Sequence, residues 1–249
     1  MVNLNNHIEV SNMSESCQIL SDTLNIVENN IHPGQSVLEL DAMAENYILS
    51  CNAKPAFKGY DGFPSTLCVS IDDEIVHGIP KDICLEEGQI ISIDCGVLKN
   101  DFYSDSARTI AVGSISKEKQ MLLDVTKEAL NIGIKQALPG NKVFDISDAI
   151  QKFIEPTGFS IVRELVGHGI GRSLHLDPQV PNFSEPKHLD LDVELKEGMC
   201  LAIEPMINLG SRHIKTDKDG WTIRTQDGQP SAHFEHSILI TNLQPRILT

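Results

Sequence analysis

The chain of 249 residues repeats itself, and that feature limits its possible folds more than any other. Pro33-Gly34-x-x-Val37-x-x-Leu40 resembles Pro139-Gly140-x-x-Val143-x-x-Ile146. Leu85-x-Glu87-Gly88-x-x-x-x-Ile93-Asp94 resembles Leu195-x-Glu197-Gly198-x-x-x-x-Ile203-Glu204, and His77-Gly78-Ile79 resembles His168-Gly169-Ile170. In each half a second acid follows the first, Asp105 after Asp94 and Glu235 after Glu204. Matches kept in one order along the chain imply duplication of a structural unit. Apolar spacing predicts helices over 15–30 and 37–51, then strand-like runs over 67–71, 89–94 and 101–112. It then predicts helices over 117–137 and 146–154, followed by strands to about residue 240. The expectation is an α+β fold: one domain over 1–249, with approximate halves 14–115 and 116–249. Each half contributes two helices and antiparallel strands packed about a pseudo-two-fold axis, with a single site on that axis.

Composition narrows the function. Twenty Lys and Arg stand against 35 Asp and Glu, a net charge of −15. Such a surface repels phosphate backbones, and no basic cluster offsets it, so a nucleic-acid reader is not expected. The longest apolar stretches are strand-sized, so no membrane span is expected. The first ten residues hold neither Lys or Arg nor an apolar run; without a visible secretory signal, the expected location is cytoplasmic. Six cysteines show no C-x-x-C pair and read as reduced, small buried hydrophobes.

The acids carry the chemistry. Asp94 ends an apolar strand pattern, where a lone carboxylate is costly to bury. Asp105, Glu204 and Glu235 also fall in strand-like contexts in matching parts of the two halves. Any one of them alone reads best as a strand-end residue or salt-bridge partner. Brought together by the duplication, they repel one another unless cations intervene. Two divalent ions neutralise four carboxylates, and His168 adds a nitrogen donor. That set suits two fairly hard ions held roughly 3.5–4 Å apart by bridging carboxylates. In Gly167-His-Gly-Ile-Gly-Arg-Ser-Leu-His175 the glycine spacing is not that of a dinucleotide loop. The glycines are expected to let the backbone pass close to a ligand, with His168 and His175 facing one cavity. No G-x-S-x-G, H-E-x-x-H or G-x-x-x-x-G-K-[ST] motif occurs.

At these residues the chain resembles a known family, the type I methionine aminopeptidases, M24 metallopeptidases with the pita-bread fold. The resemblance runs from about residue 19 to 241. It is carried by Gly59-Tyr60-x-Gly62-Phe63-Pro64, Val76-His77-Gly78-Ile79-Pro80, Asp94 with Asp105, the Gly167–Arg172 run, Ile203-Glu-Pro-Met206, Gly220-Trp221-Thr222 and Phe234-Glu235-His236. The resemblance implies that Asp94 chelates one metal, that His168 and Glu204 chelate the other, and that Asp105 and Glu235 bridge both. It further implies that His175 hydrogen-bonds the scissile carbonyl and that His77 contacts the substrate backbone. Tyr60, Phe63, Cys68 and Trp221 are expected to line the methionine pocket. A water bridging the ions would be the nucleophile, with Glu204 handling its proton. The implied activity removes the initiator methionine from nascent polypeptides with a small second residue. The implied cofactor is two divalent ions (Co, Mn, Fe(II) or Zn), and a monomer is expected. Ribosome contact fits that activity, though the acidic balance offers no docking patch. Two positions depart from many relatives, Phe57 and Leu174, both near the pocket.

Two other readings stand beside this one. Prolidases and aminopeptidases P share the fold, but usually carry Glu-Pro-Gly where this chain has Glu204-Pro205-Met206, and have a larger N-terminal domain. A non-catalytic binding protein on the same fold ranks lower, since all five ligand positions are filled.

Overall fold

The computed structural model describes residues 4, 6–185 and 192–249. The first unit opens with α1 (His7–Glu28), whose start is set by Asn6: its side chain accepts from the backbone N–H groups of Ile8 and Glu9. The helix thus begins well before the predicted residue 15. Of the apolar residues in its first turns only Met13 and Cys17 are buried, with Ile8 exposed and Val10 half-buried, so the apolar spacing that marks a helix is weak there. Ser36 caps α2 (Val37–Ser50), and Ser116 caps α3 (Lys117–Lys135). The fourth helix, α4 (Val143–Ile154), begins three residues before the predicted 146, because the Asp145 carboxylate accepts from the Lys142 N–H at 2.7 Å.

The strands of the first unit are β1 (Lys54–Pro55), β2 (Leu67–Ile71), β3 (Glu74–Val76), β4 (Ile90–Lys99) and β5 (Phe102–Ala111). Strands β4 and β5 form a hairpin paired from Ile90↔Ala111 to Lys99↔Phe102, and β2 lies on the other side of β4 with Cys68 opposite Asp94. The second unit holds β6 (Ser160–Ile161), β7 (Gly167–Gly169), β8 (Leu176–Val180), β9 (Cys200–Ile203), β10 (Met206–Asn208), β11 (Ile214–Thr216), β12 (Ile223–Thr225), β13 (Ser231–His233), β14 (His236–Leu239) and β15 (Arg246–Ile247). Here β7, β9 and β14 lie side by side as β2, β4 and β5 do in the first unit. The long hairpin is interrupted after Ile203. The β9–β14 ladder ends at Ile203↔His236, and the β10–β13 ladder resumes in the same register at Met206↔His233.

The same backbone bonds recur in both units. Gly34 N–H donates to Leu85 O at 2.7 Å, and Gly140 N–H to Leu195 O at 3.0 Å. Gly88 N–H donates to Val112 O, and Gly198 N–H to Ile240 O. Gly34 and Gly140 both stand at φ +88°, the left-handed region that favours glycine. These pairs put Val112 in register with Ile240. Counting back along both strands aligns Thr109 with Ser237, and Asp105 with His233. Reciprocal bonds agree: the Thr109 hydroxyl is clamped to the backbone N–H and O of His233, and the Ser237 hydroxyl to those of Asp105.

Two sequence matches are therefore corrected. Glu235 is not the structural counterpart of Asp105; it lies two residues further along, on the same face of its strand. His168 sits on β7, which occupies the place of β2, whereas His77 follows β3, so the two His-Gly-Ile tripeptides are not equivalent. The tripeptide resemblance is local, and strand register overrides it.

Each unit has its own core. One is built on α1, α2, β2 and β4, including Leu20, Leu40, Ile91 and Ile93. The other is built on α3, α4 and the β9 and β14 strands, including Leu122, Ile146, Leu201 and Ile238. A third cluster takes Met13, Phe57, Phe63 and Cys68 from one unit, and Ile170, Leu174 and Cys200 from the other. That shared cluster holds the cavity between the units together.

Candidate metal centre

Alternation along β4 and β5 sets the first two acids. Asp105 pairs with Gly96, two residues from Asp94, so both carboxylates leave the same face of the hairpin on diagonal positions. Glu204 and Glu235 occupy the interruption in the second hairpin and face each other across it. Glu235 is docked onto β5: its N–H donates to Ala107 O at 2.9 Å, and the Ser106 hydroxyl donates to its carbonyl at 2.7 Å. The four acids thus converge because the hairpins are stitched together by backbone and hydroxyl bonds.

They converge on one cavity of about 240 Å³. Its lining includes every residue singled out in the sequence: Asp94, Asp105, His168, Glu204 and Glu235, then His77 and His175, then Tyr60, Phe63, Cys68 and Trp221. Phe57 and Leu174 line it too. Asp94, Asp105, His168 and Glu235 are buried, while Tyr60 is 37% exposed, so the acids form the closed end. Donor atoms of Asp105, His168 and Glu235 all lie within 4.8 Å of one another. His168 Nε2 stands 3.6 Å from Glu204 Oε1 and 3.8 Å from Asp105 Oδ2.

The electrostatics ask for a cation. Burial pushes the Asp94 carboxyl up to about 7. Asp105, Glu204 and Glu235 are raised well above the usual carboxylate range, by burial first and by each other's charge second. Burial holds His168 down to about 4 and His77 to about 4, so neither ring neutralises the acids at neutral pH. His168 Nδ1 lies 3.0 Å from Gly169 O and donates there, which leaves a lone pair on Nε2 facing the acids. Asp94 Oδ1, Asp105 Oδ1 and Glu235 Oε1 are buried with no hydrogen-bond partner among the described residues. Once ionised, these oxygens offer only lone pairs and cannot bond to each other; without a cation a proton shared between Asp94 and Asp105 takes its place. A divalent cation satisfies all of them at once, so the donor set fits a metal centre.

The remaining groups define the cavity wall. His175 Nδ1 lies 2.9 Å from the Tyr60 hydroxyl, and its ring packs 4.5 Å from that of His168. Trp221 meets Phe63 edge-on at 5.2 Å and His77 at 6.5 Å. Asp219 holds the Trp221 loop by accepting from the N–H groups of Trp221 and Thr222. Burial pushes the Cys68 thiol well up, so it lines the wall as a neutral group and not as a nucleophile. Cys17, Cys95 and Cys200 are likewise buried thiols, whereas Cys51 is half-buried and Cys84 exposed. The glycines flanking His168 have a different reason from the expected one. A Cβ on Gly167 would strike Ala202 O, and one on Gly169 would strike Asp177 O. They permit close approach of neighbouring strands.

The sequence reading passed over His233 and Asn182, both buried. Asn182 donates to Glu204 O at 3.1 Å. The strand alternation that puts His233 on the Glu235 face was the available signal.

Comparison with known proteins agrees with this geometry. Residues 11–242 match the model of metallopeptidase family M24. The chain belongs to that family. As an M24 metallopeptidase it is a hydrolase of a class that uses divalent metal. It is similar to the methionine aminopeptidase of Clostridium perfringens, at 47% identity over all of this chain and 99% of that protein. The crystal structure of the methionine aminopeptidase from Thermotoga maritima superposes with a TM-score of 0.95 at 39% identity, covering 100% of this chain and 99% of that one. The prolidase from Pyrococcus furiosus shares the fold at a TM-score of 0.78 and 24% identity, but this chain covers only 64% of it. The pita-bread arrangement is common to all three.

Proposed function

We propose that the chain releases the N-terminal methionine from new polypeptides whose second residue is small. The observation that carries this reading is the cavity itself: neutral imidazoles and unpartnered carboxylates at a closed end, with Phe63, Cys68 and Trp221 on the wall. A closed end admits a chain terminus and one side chain, which makes the enzyme an exopeptidase. Aromatic rings and a thiol suit an unbranched thioether, since sulfur–aromatic contacts are favourable. Full-length similarity to methionine aminopeptidases supports the same substrate.

In this reading Asp94 would hold one ion and His168 and Glu204 the other, with Asp105 and Glu235 shared between the two. A bound pair supplies Lewis acidity and a water nucleophile at neutral pH. Glu204 takes the proton of the attacking water and passes it to the departing amine. Tyr60 donates its hydroxyl proton to His175 Nδ1, so the neutral ring carries its proton on Nε2. That N–H donates to the scissile carbonyl and stabilises the developing oxyanion. His77, at the mouth beside Trp221, orients the substrate backbone. The ions are drawn from Mn, Fe(II), Co and Zn, because oxygen-rich ligation accepts each of them. The protein acts as a cytoplasmic monomer that meets nascent chains near the ribosome. Among the described residues no helix is long and apolar enough to cross a membrane.

Turnover of Met-Ala-Ser, Met-Leu-Ser and Xaa-Pro peptides by protein reloaded with each metal in turn tests the proposal. Release of methionine from the first, and little from the second, is expected. Cleavage of Xaa-Pro peptides in its place would overturn it in favour of a prolidase-like activity.

A further inference from the structure

The reading of the centre leaves one buried group without a task. His233 is 1% exposed, and neither its Nδ1 nor its Nε2 has a hydrogen-bond partner among the described residues. Leaving a buried polar group unpaired forfeits its hydration, so a ring with two such atoms calls for an explanation. Its Nε2 lies 3.8 Å from Glu204 Oε2 and 4.0 Å from Glu235 Oε2. Glu204 is thereby flanked by two imidazoles, one at each oxygen, with His168 Nε2 3.6 Å from Oε1. The two rings are in different states. His168 has its proton committed to Gly169 O, and so presents a lone pair. His233 Nδ1 has no partner among the described residues, whereas Nε2 faces two carboxylates, so the ring proton belongs on Nε2.

The duplication explains why the ring is placed so firmly. His233 stands where the first unit has Asp105, and its backbone is held by Thr109 on both sides at 2.8 Å, as Ser237 holds that of Asp105. One unit thus sends a carboxylate to the axis, and the other sends a neutral donor behind the acids.

We infer that His233 is a positioning residue for Glu204: its Nε2, 3.8 Å from Oε2 and short of a hydrogen bond, closes on that oxygen through its N–H in the loaded centre and leaves Oε1 turned toward His168. The inference rests on the reading of Glu204 as a ligand and proton carrier. Partners of this kind, one layer behind the ligands, are typically worth about 10–100-fold in metal affinity or activity.

The test uses chelator-stripped full-length protein, titrated with Mn²⁺ by calorimetry and assayed on Met-Ala-Ser after reloading. His233→Leu fills the space without a donor and is expected to weaken Mn²⁺ binding and lower kcat by about tenfold or more, with KM little changed. His233→Gln, whose amide N–H reaches the same oxygen, is expected to restore both to within a few-fold. His233→Asn is polar but too short, and is expected to behave as the leucine variant does; it serves if leucine does not fold. Wild-type affinity and kcat in the leucine or asparagine variant would overturn the inference. So would a glutamine variant no better than leucine at equal melting temperature, since ring packing alone would then be at work. Fewer ions at saturation in every variant would make His233 a ligand, and would also overturn it. If the wild type releases no methionine, yet Mn²⁺ affinity falls with leucine and recovers with glutamine, the inference stands and the substrate assignment fails.

Discussion

The Tyr60 hydroxyl, 2.9 Å from His175 Nδ1, favours the tautomer that keeps the ring proton on Nε2, where it can donate to substrate. Removing an oxyanion donor typically costs about 100–1000-fold in kcat. His175→Ala is therefore expected to lose activity on that scale while its metal content, read by elemental analysis, matches wild type. Loss of metal would place His175 among the ligands. Tyr60→Phe removes a single hydrogen bond, worth about 1 kcal/mol net, or roughly a fivefold fall in kcat. Asp94 shows how much of this scale is legible in the chain. It ends an apolar run, and that position alone marks an expensive carboxylate. His233 shows the limit. A histidine in a strand near an acid carries no sign of whether its ring finds a partner, since the partners come from other strands.

At the scale of elements, β7 is held between β8 and β9 with no room for a side chain at Gly167. Gly167→Ala sets a methyl group against the Ala202 carbonyl, and neither strand yields without disturbing His168. Overpacking of this kind costs about 1–3 kcal/mol. A drop in melting temperature of about 2–12 °C is the expected result, together with weaker metal binding. An unchanged melting curve would mean that the strands separate freely there. Helices α2 and α3 were readable from their caps and apolar spacing, and the start of α1 was not, because the Asn6 cap works on a turn with a weak apolar stripe. Strand β4 continues to Lys99, past the expected end at 94, because ten-residue pairing with β5 outweighs the polar and glycine residues at its far end.

For the whole molecule, the four buried carboxyls tie stability to both pH and metal. Asp94 has a folded-state pKa of about 7, against roughly 3.9 when unfolded. Between those values the folded, metal-free protein holds more protons than the unfolded chain, so its stability falls as pH rises. The raised Asp105, Glu204 and Glu235 carboxyls act in the same direction. The histidines that burial holds at about 4 act the other way below about pH 6.5 and drop out above it, so chelator-treated protein is expected to melt at a higher temperature at pH 7 than at pH 8. With saturating Mn²⁺ the order reverses, because protons then compete with the ion for the same oxygens. A metal-free melting temperature that climbs from pH 7 to pH 8 would show that these carboxyls ionise without cost.

By itself the sequence determined the repeated plan and the four helices and marked the acids as costly to bury, because periodicity, capping and the cost of burying charge are local properties; the wall residues and the roles of the histidines came through the family resemblance. Only the tertiary structure decided which residues of the two units correspond. Asp105 pairs with His233 and not with Glu235, and His168 has no partner in His77. Register is a relation between strands far apart in the chain, fixed by hairpin pairing and by the Thr109 and Ser237 clamps. A linear motif match carries no information about either.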